Sequence, residues 1–348
     1  MTYKCTLITR SVALAGGTAV WLYLWLLTKP PGLPGREFQQ LWLGAEAILA
    51  GESPYSQHVQ QQMFQIYGEW GRHGLPYPVP ALLAILPAAL LPASVAIAVM
   101  LVGSLIGIAA VVFLHPSWWR QVLIPLLFLP VLRAAGLGQP SLLWVALAVL
   151  LVLALQRRWL MVAGFCLAVL PAKPQTGLVI AVVGGLYALR SDRAVLGWFL
   201  AWVMVLWGGA FVLVPNWVVV CLDSIIKYRS MYSSVLLLPF GLLIVLASFR
   251  LPWWAIASAA QVVLFPIQDL YGALPLVLAW AAIGGPIAWL GVGLSWGWAL
   301  AAGLSFSWKL WLCILLPYGI AASWQSVSAY REDRALRLEP HGTQASNA

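Results

Sequence analysis

Charge is what this chain has least of. Of its 348 residues only 19 are Lys or Arg and 10 are Asp or Glu, so 8% are charged against 62% hydrophobic. A soluble domain carries roughly a quarter charged residues, and a water-soluble core of this length cannot hide so much apolar surface. Soluble folds are therefore excluded. Cysteine is scarce too: Cys5, Cys166, Cys221 and Cys313 lie far apart, three of them in or beside apolar runs, with neither metal-ligand spacing nor a paired framework. They read as small buried hydrophobes. His58 and His73 are too far apart to suggest a metal site, and the chain has no Gly-rich phosphate loop and no nucleophile elbow, which leaves a nucleotide-driven mechanism without support. The net charge of +9 does not indicate nucleic acid as a partner, because the basic residues are scattered singly or in pairs between apolar runs.

What the chain does have is long apolar runs and a mean hydropathy of +0.90. Lipid offers backbone amides no hydrogen bonds, so membrane spans must be helices or a closed barrel; the runs here are continuous rather than alternating, which selects helices. The expectation is an all-α polytopic transmembrane protein with about 10–13 membrane segments, forming one membrane domain over residues 1–329, followed by a short polar tail, 330–348, expected to be disordered. Lys4 and Arg10 precede an apolar run from Ser11 to Thr28 that lacks a small-residue cleavage site, so it reads as a retained signal anchor.

Residues 29–77 form the long polar stretch before the tail and hold four of the ten acids. After Pro30, Pro31 and Pro34, the positions Phe38, Leu41, Trp42, Ala45, Ile48 and Leu49 fall on one helical face, and Gly51 ends that helix. Ser53 and Pro54 are expected to start a second helix with Tyr55, Val59, Met63, Ile66, Tyr67 and Trp70 on one side. Both helices should lie flat at the bilayer surface. Apolar segments follow at 79–114, 121–135, 141–155, 159–172, 174–189, 194–214, 234–249, 251–265, 273–290, 292–308 and 310–329. The first is either one bent span or several pieces. Prolines such as Pro87, Pro92, Pro140, Pro171 and Pro174 suggest broken helices lining a cavity.

The positive-inside rule, with Lys4 and Arg10 cytoplasmic, puts both termini, Arg120, Arg157–Arg158, Arg190, Arg193, Arg250, Arg331, Arg334 and Arg337 inside. The same assignment puts 29–77, the Gly138-Gln139-Pro140 break, Lys173, a loop at 215–233 and the Gln268-Asp269 break outside, so polar chemistry gathers on the outer face.

Glu37 is the first candidate base: an acid in an outer helix can take a proton from a hydroxyl if a cavity shields it. Its plain alternative is a first-turn carboxylate favoured by the helix dipole. Lys173, beside Pro174 inside a long hydrophobic stretch, is costly unless it snorkels, pairs or meets an anion. Arg133, at the outer end of its segment, faces either a lipid-linked phosphate or ordinary headgroups. Asp223, Lys227 and Arg229 share one outer stretch, while Asp269 and Tyr271 sit between two apolar segments. Charge pairs in such places are usually structural.

The order Glu37-Phe38, Trp42, Gly51-Glu52-Ser53-Pro54-Tyr55 and Tyr77-Pro78-Val79-Pro80 resembles the first half of glycosyltransferase family 87. Gly138-Gln139, Arg157-Arg158, Ala163-Gly164 and Lys173-Pro174 resemble its central signature, and Asp269-Leu270-Tyr271 before Leu274-Pro275 is a fainter echo. The likeness covers roughly residues 35–195. It implies a GT-C fold and a bacterial plasma-membrane enzyme that transfers a hexose, commonly mannose, from a polyprenyl-phosphate donor to a lipid or glycan acceptor on the outer face, by inversion. The family's base is usually an aspartate in the first outer loop; the matching residue here is Glu37, one methylene longer. Lys173, helped by Arg133 or Arg229, would stabilise the leaving phosphate, with Gln139, Tyr55, Tyr77 and Asp269 as further substrate contacts. No cofactor is implied, and a divalent metal is left open. The partners are the lipid-linked sugar, the acceptor and membrane lipids. A transporter or lipid flippase, which would also use broken helices and buried charges, and a non-catalytic membrane subunit are the alternatives.

Overall fold

The computed structural model describes residues 37–68, 71, 74–114, 124–229, 237–301 and 303–338. The signal-anchor run at 11–28 lies outside them. Among the described residues the chain is helical, without strands.

Helix α1 (Phe38–Leu49) buries Phe38, Leu41 and Ala45 as its spacing predicts, but Leu43, Gly44 and Ala47 are buried as well and Leu49 is exposed. The helix is wedged among its neighbours instead of presenting a single stripe. Helix α2 (Gln57–Tyr67) buries Val59 and Met63. Its cap is Ser56, whose hydroxyl accepts from Val59 N at 3.2 Å, and not Ser53, whose hydroxyl accepts from Tyr55 N at 3.3 Å in the preceding turn.

The long stretch 79–114 resolves into three pieces. Pro80 lies in the first turn of α3 (Val79–Ala84), Pro87 lies in that of α4 (Leu86–Ala89), and Pro92 caps α5 (Ala93–Leu114). Each proline fits a first turn, where its missing N–H is not needed, and breaks whatever precedes it. Next come α6 (Ile124–Leu127), α7 (Leu129–Leu137), α8 (Ser141–Gln156), α9 (Leu160–Ala172), α10 (Pro174–Ser191) and α11 (Ala194–Leu213). The expected 215–233 loop is largely helical: α12 (Trp217–Arg229) holds Asp223 and Lys227 one turn apart, with Lys227 Nζ donating to the Asp223 carboxylate at 2.6 Å.

Helices α13 (Gly241–Ala247), α14 (Trp253–Leu264) and α15 (Leu276–Ile283) precede a break that the sequence reading set at Gly291. The break falls instead at Gly284-Gly285, both at φ +63°, a conformation that penalises any side chain. Gly291 lies inside α16 (Gly285–Leu300), where it makes room for the Trp280 ring. Helix α17 begins at Phe306–Leu310, passes through a π turn at Trp311–Leu315 and continues as Leu316–Leu338. The tail expected from Tyr330 is thus helical to Leu338; residues 339–348 lie outside the described residues.

Among the described residues three helices are long and apolar enough to cross a membrane: Ala93–Leu114, Ala194–Leu213 and Phe306–Ser328, of 22, 20 and 23 residues. Ser141–Gln156, Leu160–Ala172 and Trp253–Leu264 are shorter apolar helices. Helix α11 turns Leu200, Met204, Val205 and Val212 outward. A continuous apolar face of that kind is compatible with an integral membrane protein and is rare on a soluble one.

The packing also sets the two ends of the bundle. Helices α8, α9 and α10 run back and forth against one another, joined by short turns. The Gln139 and Lys173 turns meet at one end, and the turns at Arg157–Arg158 and Ser191–Arg193 meet at the other. Helix α8, with 16 residues, separates those ends by about 24 Å.

Candidate functional site

Three local breaks deliver the site. Helix α7 ends in a Schellman turn: Gly138 is left-handed at φ +61°, Gln139 N–H donates to Ala134 O at 2.8 Å and Gly138 N–H to Ala135 O at 3.0 Å. Pro140, which has no N–H to donate back to α7, caps the next helix, α8, so Gln139 stands between the two helices, yet buried. Lys173 stands between the 3-10 turn that ends α9 and Pro174, the first residue of α10. A residue before proline is pushed to extended backbone, and Lys173 adopts φ −128° and ψ 82°. Glu37 precedes α1, with its N–H bonded to Leu137 O at 3.2 Å. Its carboxylate does not cap α1; it turns to Gln139.

The result is a chain of hydrogen bonds through residues far apart in sequence. Gln139 Nε2 donates to the Glu37 carboxylate, while Lys173 Nζ donates to Gln139 Oε1 at 3.1 Å and to the Tyr77 hydroxyl at 3.3 Å. Tyr55 O–H donates to the Tyr77 carbonyl at 2.7 Å. The ammonium also lies 5.0 Å from the Tyr77 ring centre and 6.0 Å from that of Trp144. Lys173 is 4% exposed and Gln139 3%, whereas Glu37 is half-buried. A buried charge needs partners of this kind, because leaving it unpaired is strongly unfavourable. The single amide of Gln139 thus links an acid and a cation.

Arg133 and Asp269 meet beside this cluster. Arg133 Nε and its terminal NH2 nitrogen donate to the two carboxylate oxygens of Asp269 at 3.4 and 3.2 Å, a two-pronged contact. Asp269 also accepts from Tyr271 N at 3.3 Å. The pair lines a cavity of about 530 Å³ together with Gly136, Gln268, Trp296 and Trp298. Gly136 precedes Leu137, whose carbonyl holds the Glu37 backbone, so the cavity lies beside the start of α1, without Glu37 in its lining. Burial holds the Glu37 carboxyl above the usual carboxylate range, and the Lys173 ammonium pulls it back down; Asp269 pushes it up and Arg133 lowers it. A base lifted toward neutral pH suits proton abstraction from a hydroxyl.

Seven of the eight sequence candidates therefore fall into two adjoining groups: Glu37, Gln139, Lys173, Tyr77 and Tyr55 in one, Arg133 and Asp269 in the other. The eighth, Arg229, ends α12, and its side chain lies outside the described residues. Two residues escaped the sequence reading. Trp144 sits against Lys173 with its indole N–H buried and without an acceptor among the described residues; in sequence it is one more apolar residue of α8. Gln261 of α14 clamps the start of α10: its Oε1 accepts from Val179 N at 2.8 Å and its Nε2 donates to Pro174 O at 2.9 Å. The only hint of it was an amide inside an apolar helix. Gly177 completes the support, since a Cβ there would lie 2.5 Å from Leu170 O. Because that atom is backbone, Gly177→Ala is expected to destabilise by about 1–3 kcal/mol and to lower the thermal midpoint of the detergent-solubilised protein. An unchanged midpoint would contradict this close approach.

Among the described residues no group of three or more His, Cys, Asp or Glu side chains is placed to hold a metal ion. No family model matches the chain, and neither curated proteins nor solved structures gave a significant match.

Proposed function

We propose that the chain is a polytopic plasma-membrane glycosyltransferase of the GT-C type, akin to glycosyltransferase family 87. It transfers a hexose, with mannose the first to test, from a polyprenyl-phosphate donor to a lipid or glycan acceptor on the outer face. The observation that carries this reading is a half-buried carboxylate tied through one amide to a buried ammonium, next to an aromatic-walled cavity that holds an arginine.

In the proposed reaction the Glu37 carboxylate takes the proton of an acceptor hydroxyl as its oxygen attacks the anomeric carbon. The bond from that carbon to the phosphate oxygen breaks, and its electron pair leaves with the polyprenyl phosphate from the opposite face, giving inversion. Arg133 is 45% exposed at the cavity, which supports it as the group that meets the leaving phosphate, where a preorganised charge stabilises the transition state most. Lys173 is too enclosed for that contact. Its bond to Gln139 supports a positioning role, holding the amide N–H on the base. Trp296 and Trp298 give the cavity apolar walls suited to a sugar face or a prenyl tail.

Purified full-length protein, incubated with radiolabelled polyprenyl-phosphate hexoses and an acceptor pool, is expected to move label covalently into the acceptor. Movement of the lipid across sealed vesicles without covalent transfer would instead identify a transporter or flippase, and inactivity in both assays a non-catalytic subunit. Within the transferase reading, Arg133→Gln is expected to raise the KM for the lipid-phosphate donor roughly 10- to 100-fold, the worth of one charged hydrogen bond. Stability should barely change, because exposed ion pairs contribute about 0–1 kcal/mol. An unaltered donor KM would remove Arg133 from phosphate binding.

A further inference from the structure

The opposite end of the bundle carries a second cavity, of about 340 Å³, between the α8–α9 and α10–α11 turns. Leu155, Leu160 and Val195 give it an apolar floor, and Gln156, Arg158, Tyr187, Ser191 and Asp192 form its polar wall. The two turns read Gln156-Arg157-Arg158-Trp159 and Arg190-Ser191-Asp192-Arg193, four cations against one carboxylate. All four arginines are exposed, and none has a carboxylate partner among the described residues. Asp192 is turned to its own helix start, accepting from Ala194 N at 3.2 Å. The Arg157 guanidinium lies 5.2 Å from the centre of the exposed Trp159 ring, an arrangement common where a membrane meets water. Arg158 holds a left-handed backbone at φ +57°, unfavourable for a residue with a side chain, and it is the non-glycine residue that does so among the described ones.

The surroundings say which anion fits. From this cavity α10 and α11 run away with apolar side chains turned outward: Val182 and Leu186 on the first, Leu200 and Met204 on the second. A ligand with an anionic head and a long apolar body matches both parts at once, whereas a free phosphate would match the arginines alone. We propose that this cavity holds the phosphate headgroup of an anionic phospholipid whose acyl chains lie along the outward faces of α10 and α11. The site is independent of the transferase reading.

The test uses the full chain in bilayers of mixed phosphatidylglycerol and phosphatidylcholine, with the lipids retained after detergent purification counted by native mass spectrometry. Phosphatidylglycerol is expected to be enriched, and each arginine removed, in Arg157→Gln, Arg158→Gln and the double variant, should cut that preference about fivefold. Arg158→Gly separates charge from fold: it relieves the backbone, so the thermal midpoint should hold or rise while the preference falls. Lys227→Gln, on α12, which packs through Cys221 against Val79 and Tyr55 at the other end of the bundle, should leave the preference unchanged. Retained preference in the double variant, or an equal loss in Lys227→Gln, would overturn the site. Competition by soluble glycerol phosphate as effective as that by the lipid would show that the acyl chains contribute nothing and overturn the phospholipid assignment.

Discussion

Glu37→Gln is expected to reduce transfer by about 100- to 10,000-fold, the usual contribution of a positioned general base, while the protein remains folded and extractable. The substitution keeps the size and planarity of the side chain and removes its negative charge together with its ability to accept a proton. The fold should survive because α1 is anchored by Phe38, Leu41 and Ala45 in the core and by the Glu37 backbone on Leu137, none of which needs the charge. Glu37→Asp separates reach from chemistry. It keeps the carboxylate but retracts it by one methylene from Gln139, so activity between that of wild type and Glu37→Gln is expected. Steady-state transfer with a labelled donor, alongside a thermal melt, measures both; full activity in Glu37→Gln would take this residue out of the mechanism.

Lys173→Met should act on the same base from the other side of Gln139. In the wild-type protein burial raises the Glu37 carboxyl and the ammonium opposes that rise. With the cation gone, the upward push is no longer countered, and the carboxyl titrates at still higher pH, by about one unit on the scale of a nearby opposite charge. The sign for catalysis follows. A base works when deprotonated, so the rate climbs as pH rises through its titration. In Lys173→Met that rising limb should move to higher pH, and activity at neutral pH should fall while the alkaline plateau is better preserved. A residue that merely filled space would lower the plateau without moving the limb. The pH profile of kcat/KM therefore distinguishes positioning from packing.

Much of this arrangement could be read from the chain because it depends on local chemistry. A glycine and a proline flanking Gln139 force a helix end with the amide outside it, and Pro174 forces extended backbone on Lys173. The face of α2 could be read from spacing because Val59 and Met63 have polar neighbours. Spacing failed where every neighbour is apolar. Helix α8 has almost no sidedness, so nothing in its sequence marks Trp144 as the residue that meets Lys173. The break between α15 and α16 was misplaced although Gly284-Gly285 is followed by Pro286, a turn signal that Gly291 lacks; the packing of Trp280 against Gly291 accounts for the glycine that lies inside the helix. The Arg133–Asp269 pair joins residues 136 apart, and no local rule connects them. The charge rule did group the breaks at Gln139 and Lys173 apart from the arginine turns, and the alternating course of α8, α9 and α10 separates them in the same way.

The link between Glu37 and Lys173 through Gln139 can be measured without any substrate. Infrared titration of the purified protein in bilayers should show a protonated carboxyl band that is lost in Glu37→Gln, persists above the ordinary glutamate range of about 4.3 and moves to higher pH in Lys173→Met. A band that titrates identically with and without the lysine would mean that the two groups do not act on one another, and the proposed site would not stand.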